Sequence, residues 1–293
     1  MGDLDGRVFF ITGANTGIGR ATALALGARG ATLYLACRSE DKARPVIDAI
    51  AAQGNEDVHF VPLDLADLAS VDAAADAFLA EDRPLHVLIN NAGLAGQRGT
   101  TSDGFERTFG VNHLGHFRLT ERLLDRLVAS APARIVNVAS KAHERARGIE
   151  WAKLTEPVAS TTGLPEYQVS KLANVLHAKE LARRLAGTGV TTYSLHPGVI
   201  ASDVWREVPW PIRSIMTLFM KSNEDGARTT LHCAASPDAA SETGLYYVDE
   251  RAKRANPIAD DVALQDELRR RSEAWVAEAL ARPARRASGD AHP

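Results

Sequence analysis

Short apolar segments rich in β-branched and aromatic residues alternate with longer segments of helical period along most of the chain. The short apolar runs predict strands, and the longer amphipathic stretches predict helices. The predicted strands cover 7–12, 31–37, 58–63, 85–90, 134–140, 190–196 and 244–248. The predicted helices cover 17–29, 39–52, 67–80, 104–130, 165–186, 223–235 and 259–280.

The order of these elements predicts the fold class. The connections between successive strands are far longer than hairpin loops, so neighbouring strands should run parallel with helical crossovers. Runs such as VLIN, 87–90, are apolar at successive positions, as a strand covered on both faces requires. The pattern therefore predicts an α/β fold, a Rossmann-type doubly wound parallel sheet of about seven strands in three αβα layers. We expect a single domain over 1–280 and a disordered tail over 281–293.

Two long connections, 141–164 and 199–222, interrupt the alternation. Both follow the carboxyl ends of predicted strands, which is the edge where open α/β sheets bind ligands. For 141–164, a pocket wall and an ordinary surface insertion fit the sequence equally well. Segment 199–222 contains Trp205, Trp210 and Phe219, and this apolar content favours a substrate-pocket wall over a solvated loop. The three aromatic side chains are equally compatible with packing over the sheet.

Composition narrows the classes of partner. The 293 residues carry a formal net charge of -3, with 34 basic and 37 acidic residues interspersed, so no broad basic field attracts nucleic acid. We expect a small-molecule substrate and no nucleic acid. Cys37 and Cys233 lack disulfide or metal spacing, which fits a reducing compartment. No signal peptide and no apolar run of roughly 20 residues is present, so we expect a cytoplasmic protein without an integral membrane span.

Metal binding is not predicted. His113 and His116 stand three apart on a predicted helix, but no third ligand has a matching spacing. Packed or surface positions explain this pair more simply.

The segment TGANTGIG, 12–19, joins the first predicted strand to the first predicted helix. Gly13 permits a tight turn, Gly17 permits close approach of the backbone to a phosphate, and Gly19 lets helix and sheet pack closely. Strand, glycine turn, helix and second strand form the unit that places a pyrophosphate on a helix N-terminus. We therefore expect a dinucleotide here, with Asn15, Thr16 and Ile18 as further contacts. No Lys-Ser or Lys-Thr follows, which argues against a nucleoside-triphosphate loop.

Arg38 stands at the end of the second predicted strand, where a carboxylate would bind the adenosine ribose of NAD(H). A guanidinium instead pairs with a 2′-phosphate, so this position favours NADP(H) over NAD(H). Ser39 is a candidate second donor to the same phosphate. Glu40 is a candidate for the missing acid, but it lies beyond the strand end and suits the first turn of the next helix.

The segment YQVSK, 167–171, lies inside a predicted helix, so Tyr167 and Lys171 share one helix face. A free tyrosine titrates near pH ~10, and its use as an acid or base at neutral pH needs a neighbouring cation that favours the phenolate. Lys171 is placed to supply that cation.

Further motifs accompany these two. NNAG at 90–93, NVAS at 137–140 and HPGV at 196–199 follow predicted strands, and VNHLGHF at 111–117 lies in a predicted helix. In this order, with TGxxxGIG and YxxxK, they resemble the short-chain dehydrogenase/reductase family from Arg7 to about residue 250. The resemblance implies an oxidoreductase that transfers a hydride between a nicotinamide and an alcohol or carbonyl carbon.

The resemblance also implies residue roles. Ser140 corresponds to the serine that hydrogen-bonds the substrate oxygen, and Tyr167 to the proton donor or acceptor. Lys171 corresponds to the lysine that binds the nicotinamide ribose and lowers the tyrosine pKa, and Asn112 to the asparagine that anchors a water in the proton relay. The implied cofactor contacts, besides the glycine loop, Arg38, Tyr167 and Lys171, are Asp64, Leu65, Asn90, Ala92, Gly93, Pro197, Gly198, Val199 and Ser202.

The interval from Ser140 to Tyr167 is about twice that usual in the family, and Ala139 stands where many members have a second serine. With LACRS, VNHLGHF and SNEDGART, the long interval resembles the retinol-dehydrogenase-like and WW-domain-oxidoreductase-like branch. That branch implies NADP(H) and a bulky apolar aldehyde, ketone or alcohol of retinoid, steroid or lipid type. A protochlorophyllide reductase-like enzyme and a non-catalytic dinucleotide-binding sensor or scaffold are the alternatives.

Family resemblance further implies a homodimer or homotetramer built on the helices at 104–130 and 165–186. A monomer is equally compatible with the sequence.

Overall fold

A computed structural model describes residues 2–157, 160–198 and 222–282. Within them, eight strands form one sheet in the order β3-β2-β1-β4-β5-β6-β7-β8. The strands are β1 Val8–Thr12, β2 Thr32–Cys37, β3 Val58–Pro62, β4 Val87–Asn90, β5 Ala133–Val138, β6 Val190–His196, β7 Leu245–Val248 and β8 Arg251–Lys253. The first seven run parallel, and β8 is antiparallel to β7. The doubly wound parallel sheet is confirmed, with one strand more than predicted.

Strand β8 lies at the edge of the sheet and escaped prediction because it buries nothing. Its three residues are all exposed, so no apolar alternation marks it in the sequence. Asp249 and Glu250, with φ of 50° and 62°, form the tight turn that leads into it. Arg251 and Lys253 place charge on this open edge, which disfavours the addition of a further strand from another chain.

Eight helices in the described residues cover the sheet. They are α1 Gly17–Gly27, α2 Glu40–Ala51, α3 Leu68–Ala80, α4 Arg107–Phe109, α5 Gly115–Ala129, α6 Leu164–Arg184, α7 Asn223–Ala235 and α8 Val262–Ala281. Helices α1, α2 and α7 pack on one face through side chains such as Leu26 and Cys233. Helices α3, α5 and α6 pack on the other through Phe78 and Leu123. This arrangement confirms the three αβα layers.

The helix predicted over 104–130 is in fact three segments. Its start is set by Glu106, whose carboxylate accepts the backbone N–H groups of Thr108 at 2.8 Å and Phe109 at 2.7 Å. A π-helical segment, Gly110–Leu114, then separates α4 from α5. Hydrophobic periodicity does not reveal this segment, because four of its five residues are buried and no polar face marks its turns. Asn112 lies within this segment.

The connection after β5 contains two short 3₁₀ helices, Lys141–Arg145 and Trp151–Thr155. The second carries Leu154, which is buried in the apolar cluster formed by α6 and α8. This part of the insertion therefore packs onto the domain.

Helix α8 packs along α6 through the predicted apolar stripe. Leu268 is buried and Trp275 packs partly buried beside Phe109, whereas Leu280 is 38% exposed. Polar contacts strengthen the pairing, since the guanidinium of Arg183 donates to Gln265 Oε1 at 3.0 Å. Part of the α6 surface on which we expected a subunit interface is thus covered by α8 of the same chain.

Among the helices within residues 2–157, 160–198 and 222–282, none combines the length and apolar character that crossing a membrane requires.

The first turn of α1 packs tightly against the end of β1, and this packing yields a prediction for Gly19. A Cβ on Gly19 would collide with the Gly13 carbonyl oxygen and lie 2.5 Å from Asn91 Nδ2. We expect Gly19→Ala to lower the free energy of unfolding in urea by about 3 kcal/mol, because a backbone atom must move. The control is Gly54→Ala, which has open space but a φ of 90° and should lose only about 1 kcal/mol. Equal losses would contradict the close packing.

Three buried histidines, His113, His116 and His177, predict how stability depends on pH. Burial lowers the pKa of His116 to about 4 and of His177 to about 3, and it holds the pKa of His113 well below its ordinary value. At neutral pH all three are uncharged in the folded protein, whereas in the unfolded chain they take up protons below pH ~6.5. The free energy of unfolding should therefore fall as pH decreases from about 6.5 towards 4, by up to ~1.4 kcal/mol per pH unit for each histidine.

The variant His177→Gln removes one of these groups. We expect a shallower loss of stability between pH 6.5 and 5 in denaturant titrations of this variant than of the natural protein. The control variant His232→Gln alters a partly exposed histidine and should leave the slope unchanged. Identical slopes for all three proteins would show that the buried histidines do not govern acid stability.

Candidate active site

A cleft of about 1010 Å³ runs along the carboxyl ends of the parallel strands. It is lined at one end by the turn between β1 and α1, and at the other by residues that follow β5 and begin α6. Most of the predicted site residues meet in it, namely Gly13, Asn15, Thr16, Gly17, Ile18, Gly19, Arg38, Asp64, Leu65, Ala92, Gly93, Ser140, Tyr167, Lys171, Pro197 and Gly198.

The glycine turn presents backbone N–H groups to the cleft. Gly13 and Gly17 have φ of 66° and 53°, which favour glycine. Thr16 is the N-cap residue of α1, but its side chain makes no capping hydrogen bond. The first N–H groups of α1 therefore lack a side-chain cap at a point where Gly17 and Ile18 line the cleft. Such a helix N-terminus suits a pyrophosphate, so the residues present fit a dinucleotide.

Thr12 fastens the NNAG segment to the glycine turn. Its Oγ1 accepts the N–H groups of Asn91 at 2.9 Å and Ala92 at 3.0 Å, and it lies 2.8 Å from His116 Nε2. His116 Nδ1 lies 3.0 Å from the Asn112 carbonyl oxygen and must donate to it, because a carbonyl only accepts. Nε2 of the neutral ring therefore accepts a hydrogen bond from the Thr12 hydroxyl. This chain links β1, β4 and the π-helical segment. Sequence reasoning missed it, and its one visible signal was a threonine ending an otherwise apolar strand.

Arg38 and Lys42 form the cationic end of the cleft. Ser39 also lines it, and its hydroxyl caps α2 by accepting the Lys42 N–H at 3.4 Å. Glu40 pairs with Arg44 at 2.5 Å in the first turn of α2, where the sequence placed it. In the ranges that the structure describes, neither Arg38 nor Lys42 forms an ion pair. Lys42 was not predicted as a cofactor contact, although it stands only four residues after Arg38.

Ser140, Tyr167 and Lys171 meet at the other end of the cleft. Tyr167 is 7% exposed and lines the cleft together with Ser140. Lys171 Nζ lies 5.7 Å from the centre of the Tyr167 ring and donates to the Val138 carbonyl at 2.8 Å. The three polar groups thus share one small region, directly after β5 and in the first two turns of α6.

Burial dominates the electrostatics of these groups. It raises the pKa of Tyr167, an effect that the Ser140 hydrogen bond partly opposes, and it lowers the pKa of Lys171 to about 7. Tyr167 is therefore a neutral phenol near pH 7. Lowering of the Tyr167 pKa by Lys171 stays a prediction, because the Lys171 ammonium is directed at the Val138 carbonyl.

Asn112 and Asn90 lie behind the cleft wall rather than in it. The Asn112 side chain exchanges two 2.9 Å hydrogen bonds with the backbone of Leu94 and donates to Ser170 Oγ at 3.0 Å. Asn90 donates to Thr120 Oγ1 and Asn137 Oδ1, both at 3.0 Å. The Asn90 amide thus joins β4 to β5 and α5, and contact of Asn90 with the cofactor stays a prediction.

Further residues that line the described cleft are of mixed polarity. Leu94, Val111 and Leu164 are apolar, whereas the polar side chains include Gln97, Arg107, Lys141, Glu144, Arg145 and Gln168. Sequence reasoning named none of these, since exposed polar residues in an insertion carry no pattern. Val199, Ser202 and the aromatic segment 205–219 lie outside the described residues.

In the part of the chain covered by 2–157, 160–198 and 222–282, no three histidine, cysteine, aspartate or glutamate side chains are grouped so as to hold a metal ion.

Comparison with known proteins agrees with this geometry. The family model for short chain dehydrogenases matches residues 7–210. Human retinol dehydrogenase 11 is 47% identical over 251 residues, which cover 84% of this chain and 78% of that protein. A crystal structure of an uncharacterized protein from Mycobacterium paratuberculosis is 32% identical with a TM-score of 0.77 and covers 94% of this chain and 98% of that one.

A short chain dehydrogenase from Burkholderia cenocepacia, solved in complex with NADP, is also similar. It is 25% identical with a TM-score of 0.67, over 83% of this chain and 96% of that one. The matched family model and the 47% identity to human retinol dehydrogenase 11 together assign the family of this chain. The chain belongs to the short-chain dehydrogenase/reductase family, in its retinol dehydrogenase-like branch, and is an oxidoreductase that acts on CH–OH or C=O groups.

Proposed function

We propose that the protein is an NADP(H)-dependent oxidoreductase for a bulky apolar aldehyde, ketone or alcohol of retinoid, steroid or lipid type, with Tyr167 as general acid and base. One observation carries this proposal. The side chains of Ser140 and Tyr167 line the same cleft as the uncapped N-terminus of α1. A pyrophosphate on that helix end would direct the rest of a dinucleotide along the cleft towards Tyr167.

The cleft offers a residue for each part of the dinucleotide. The turn Gly13–Gly19 would hold the pyrophosphate, and Asp64 with Leu65 would border the adenine. The absence of a side chain at Gly93 would allow close approach of the cofactor, since even a Cβ there would crowd Asn112 Oδ1 at 3.3 Å and Lys171 Nζ at 3.4 Å. The bound nicotinamide would supply the hydride donor or acceptor, and this chain supplies orientation and the proton.

Ser140 is oriented to donate a hydrogen bond. Its Oγ already accepts the Ala142 N–H at 3.2 Å, which leaves its own hydrogen for Tyr167 or for a substrate oxygen. When a carbonyl is reduced, negative charge develops on that oxygen, and a preorganised donor lowers the barrier. Tyr167 then provides the proton, and its raised pKa keeps the phenol protonated for this direction.

Oxidation of an alcohol makes the opposite demand on Tyr167. The phenol must first lose its proton, and a nearby cation favours that loss. Lys171 stands one helical turn away, with its ammonium desolvated. Protonation of Lys171 in the loaded cleft would assist the phenolate, so we assign it both this role and contact with the nicotinamide ribose.

The choice of NADP(H) is supported by the cationic end of the cleft. Arg38 and Lys42 both line it without an ion-pair partner in the described residues, so a 2′-phosphate would be the anion that balances them. The Burkholderia cenocepacia relative in complex with NADP adds support.

The substrate class is supported by the relatives rather than by the described wall. Human retinol dehydrogenase 11 is named for a long apolar alcohol, and the apolar sequence of 205–219 would suit a similar substrate. Retinoids are therefore the first compounds to test.

A cytoplasmic location and assembly as a homodimer or homotetramer stay part of the proposal. Cys37 and Cys233 are both free thiols, which suits a reducing compartment.

The charge at Arg38 can be reversed to test the cofactor choice. We expect Arg38→Asp to shift the ratio of kcat/KM for NADPH over NADH by more than about tenfold towards NADH, equivalent to ~1.4 kcal/mol. Arg44→Asp, on helix α2 that follows Arg38 but outside the cleft, is the control for a general change of charge and should shift the ratio little. A ratio unchanged by Arg38→Asp would refute the assignment of this strand end.

The proposed chemistry is tested by NADPH oxidation with retinal, steroid ketones, aliphatic and aromatic aldehydes, and quinones. We expect turnover with at least one apolar carbonyl class and a loss of kcat of about 10²–10⁴-fold in Tyr167→Phe, with NADPH affinity nearly unchanged. The control Tyr193→Phe removes a buried hydroxyl that hydrogen-bonds Ala239 at 2.7 Å, away from the cleft, and should keep kcat. Absence of turnover with every class would favour a binding-only sensor or scaffold, and full activity of Tyr167→Phe would remove Tyr167 from the mechanism.

A further inference from the structure

A buried histidine, His143, lies directly behind Ser140. Its Nδ1 is 2.6 Å from the Ser140 carbonyl oxygen, and its backbone N–H donates to the same oxygen at 3.1 Å. Its Nε2 accepts the backbone N–H of Asn256 at 3.1 Å. A carbonyl can only accept and an amide N–H can only donate, so the ring is held as the neutral tautomer with hydrogen on Nδ1.

Asn256 comes from the segment that follows β8, 113 residues after His143. Its side-chain amide donates to the carbonyls of His143 at 3.0 Å and Ala146 at 2.9 Å. Its Oδ1 accepts the N–H of Ile258 at 3.0 Å. One buried asparagine thus binds both the ring of His143 and the backbone of the turn after β5.

The His143 ring is also fixed by packing. It makes an edge contact with the ring of Tyr246, at 4.6 Å between ring centres, and both residues are buried. Tyr246 belongs to β7, so the turn that carries Ser140 is held by the sheet on one side and by Asn256 on the other.

We propose that His143 is a positioning residue for Ser140. Through the Ser140 carbonyl, and anchored by Asn256, it fixes the turn in which Ser140 Oγ accepts the Ala142 N–H. This inference rests on the proposed function, because it concerns the direction in which the Ser140 hydroxyl donates.

The physical reason is that a serine hydroxyl has three staggered positions and a freely rotating hydrogen. A donor must lie within about 0.5 Å of its productive place to act on a developing charge. The hydrogen bond from the Ala142 N–H to Ser140 Oγ forms only while residues 140–143 keep their turn. Because His143 closes that turn, its loss would free the hydroxyl to adopt other directions.

Two substitutions separate the two ends of the ring. In His143→Asn, the side-chain amide nitrogen falls near the place of Nδ1 and can still donate to the Ser140 carbonyl. In His143→Gln, the longer side chain can reach the place of Nε2 and still accept from Asn256, but the donor to Ser140 is lost. Each variant therefore keeps one contact and removes the other.

The test is a double-mutant cycle on kcat for NADPH oxidation, with the best carbonyl substrate. We expect His143→Gln to lower kcat about tenfold with NADPH affinity unchanged. His143→Asn should keep kcat within about threefold while lowering the thermal midpoint through loss of the Asn256 contact. In a Ser140→Ala background, His143→Gln should lower kcat less than about twofold further, because a positioning residue has nothing left to position.

Several results would overturn the proposal. Equal loss of kcat from His143→Gln in both backgrounds would indicate general damage, and equal loss from the Asn and Gln variants would show that the Nδ1 donor has no special role. Inactivity of the natural protein, or full activity of Ser140→Ala, would instead count against the proposed function.

Hydrogen exchange provides a measurement that needs no turnover. We expect the N–H groups of Ala142 and His143 to exchange at least about tenfold faster in His143→Gln than in His143→Asn, because only the Asn variant retains the donor that closes the turn. Equal exchange in the two variants would refute the positioning role, whatever the enzyme assay shows.

Discussion

The parallel pairing of β1 with both β2 and β4 is the constraint on which the rest of the molecule depends. Phe9, Phe10 and Ile11 each have a partner on both sides, in register with Leu33–Leu35 and with Val87–Ile89. The strand order reverses at β1, because β2 and β3 follow on one side of it and β4 to β8 on the other. The loops after β1 and β4 therefore lead to opposite faces of the sheet and leave a space between them. The space between them is the cleft, and the carboxyl end of every parallel strand opens into it or beside it.

Buried polar groups convert this cleft into a defined site. Thr12, His116 and Asn112 are all buried, and each binds the backbone of a segment that borders the cleft. Asn90, also buried, joins strand β4 to the side chains of Thr120 and Asn137. In a medium of low dielectric such hydrogen bonds are strong and unpaired partners are costly, so the segments have few alternative arrangements. The same desolvation acts on the proposed reacting groups, since it raises the pKa of Tyr167 and lowers the pKa of Lys171 to about 7. Rigidity and reactivity thus have one physical origin, the exclusion of water behind the strand ends.

Local pattern was enough to predict the parallel strands, the helices that cover them and the glycine turn, because each of these buries an apolar face or needs a glycine at a given place. It could not predict β8, which buries nothing, or the π-helical segment at Gly110–Leu114, which is buried at every position but one. The motifs likewise identified Ser140, Tyr167 and Lys171 as neighbours, but a motif does not say that Asn91 rather than Asn90 lines the cleft. His143 and Asn256 had no signal, since their contact joins residues 113 positions apart and only the fold brings them together.

The long-range contact of Asn256 has a consequence for the synthesis of this protein. The glycine turn, the carboxyl ends of β1 to β5 and helix α6 all precede residue 185 in the chain, so the emerging polypeptide holds most of the cleft well before translation ends. The turn that carries Ser140 is different, because His143, which closes it, is anchored by Asn256, and Asn256 leaves the ribosome much later. A nascent chain that ends before Asn256 therefore contains Ser140, Tyr167 and Lys171 but not the residue that anchors His143. Under the proposed positioning role, competence for chemistry would be acquired late in synthesis.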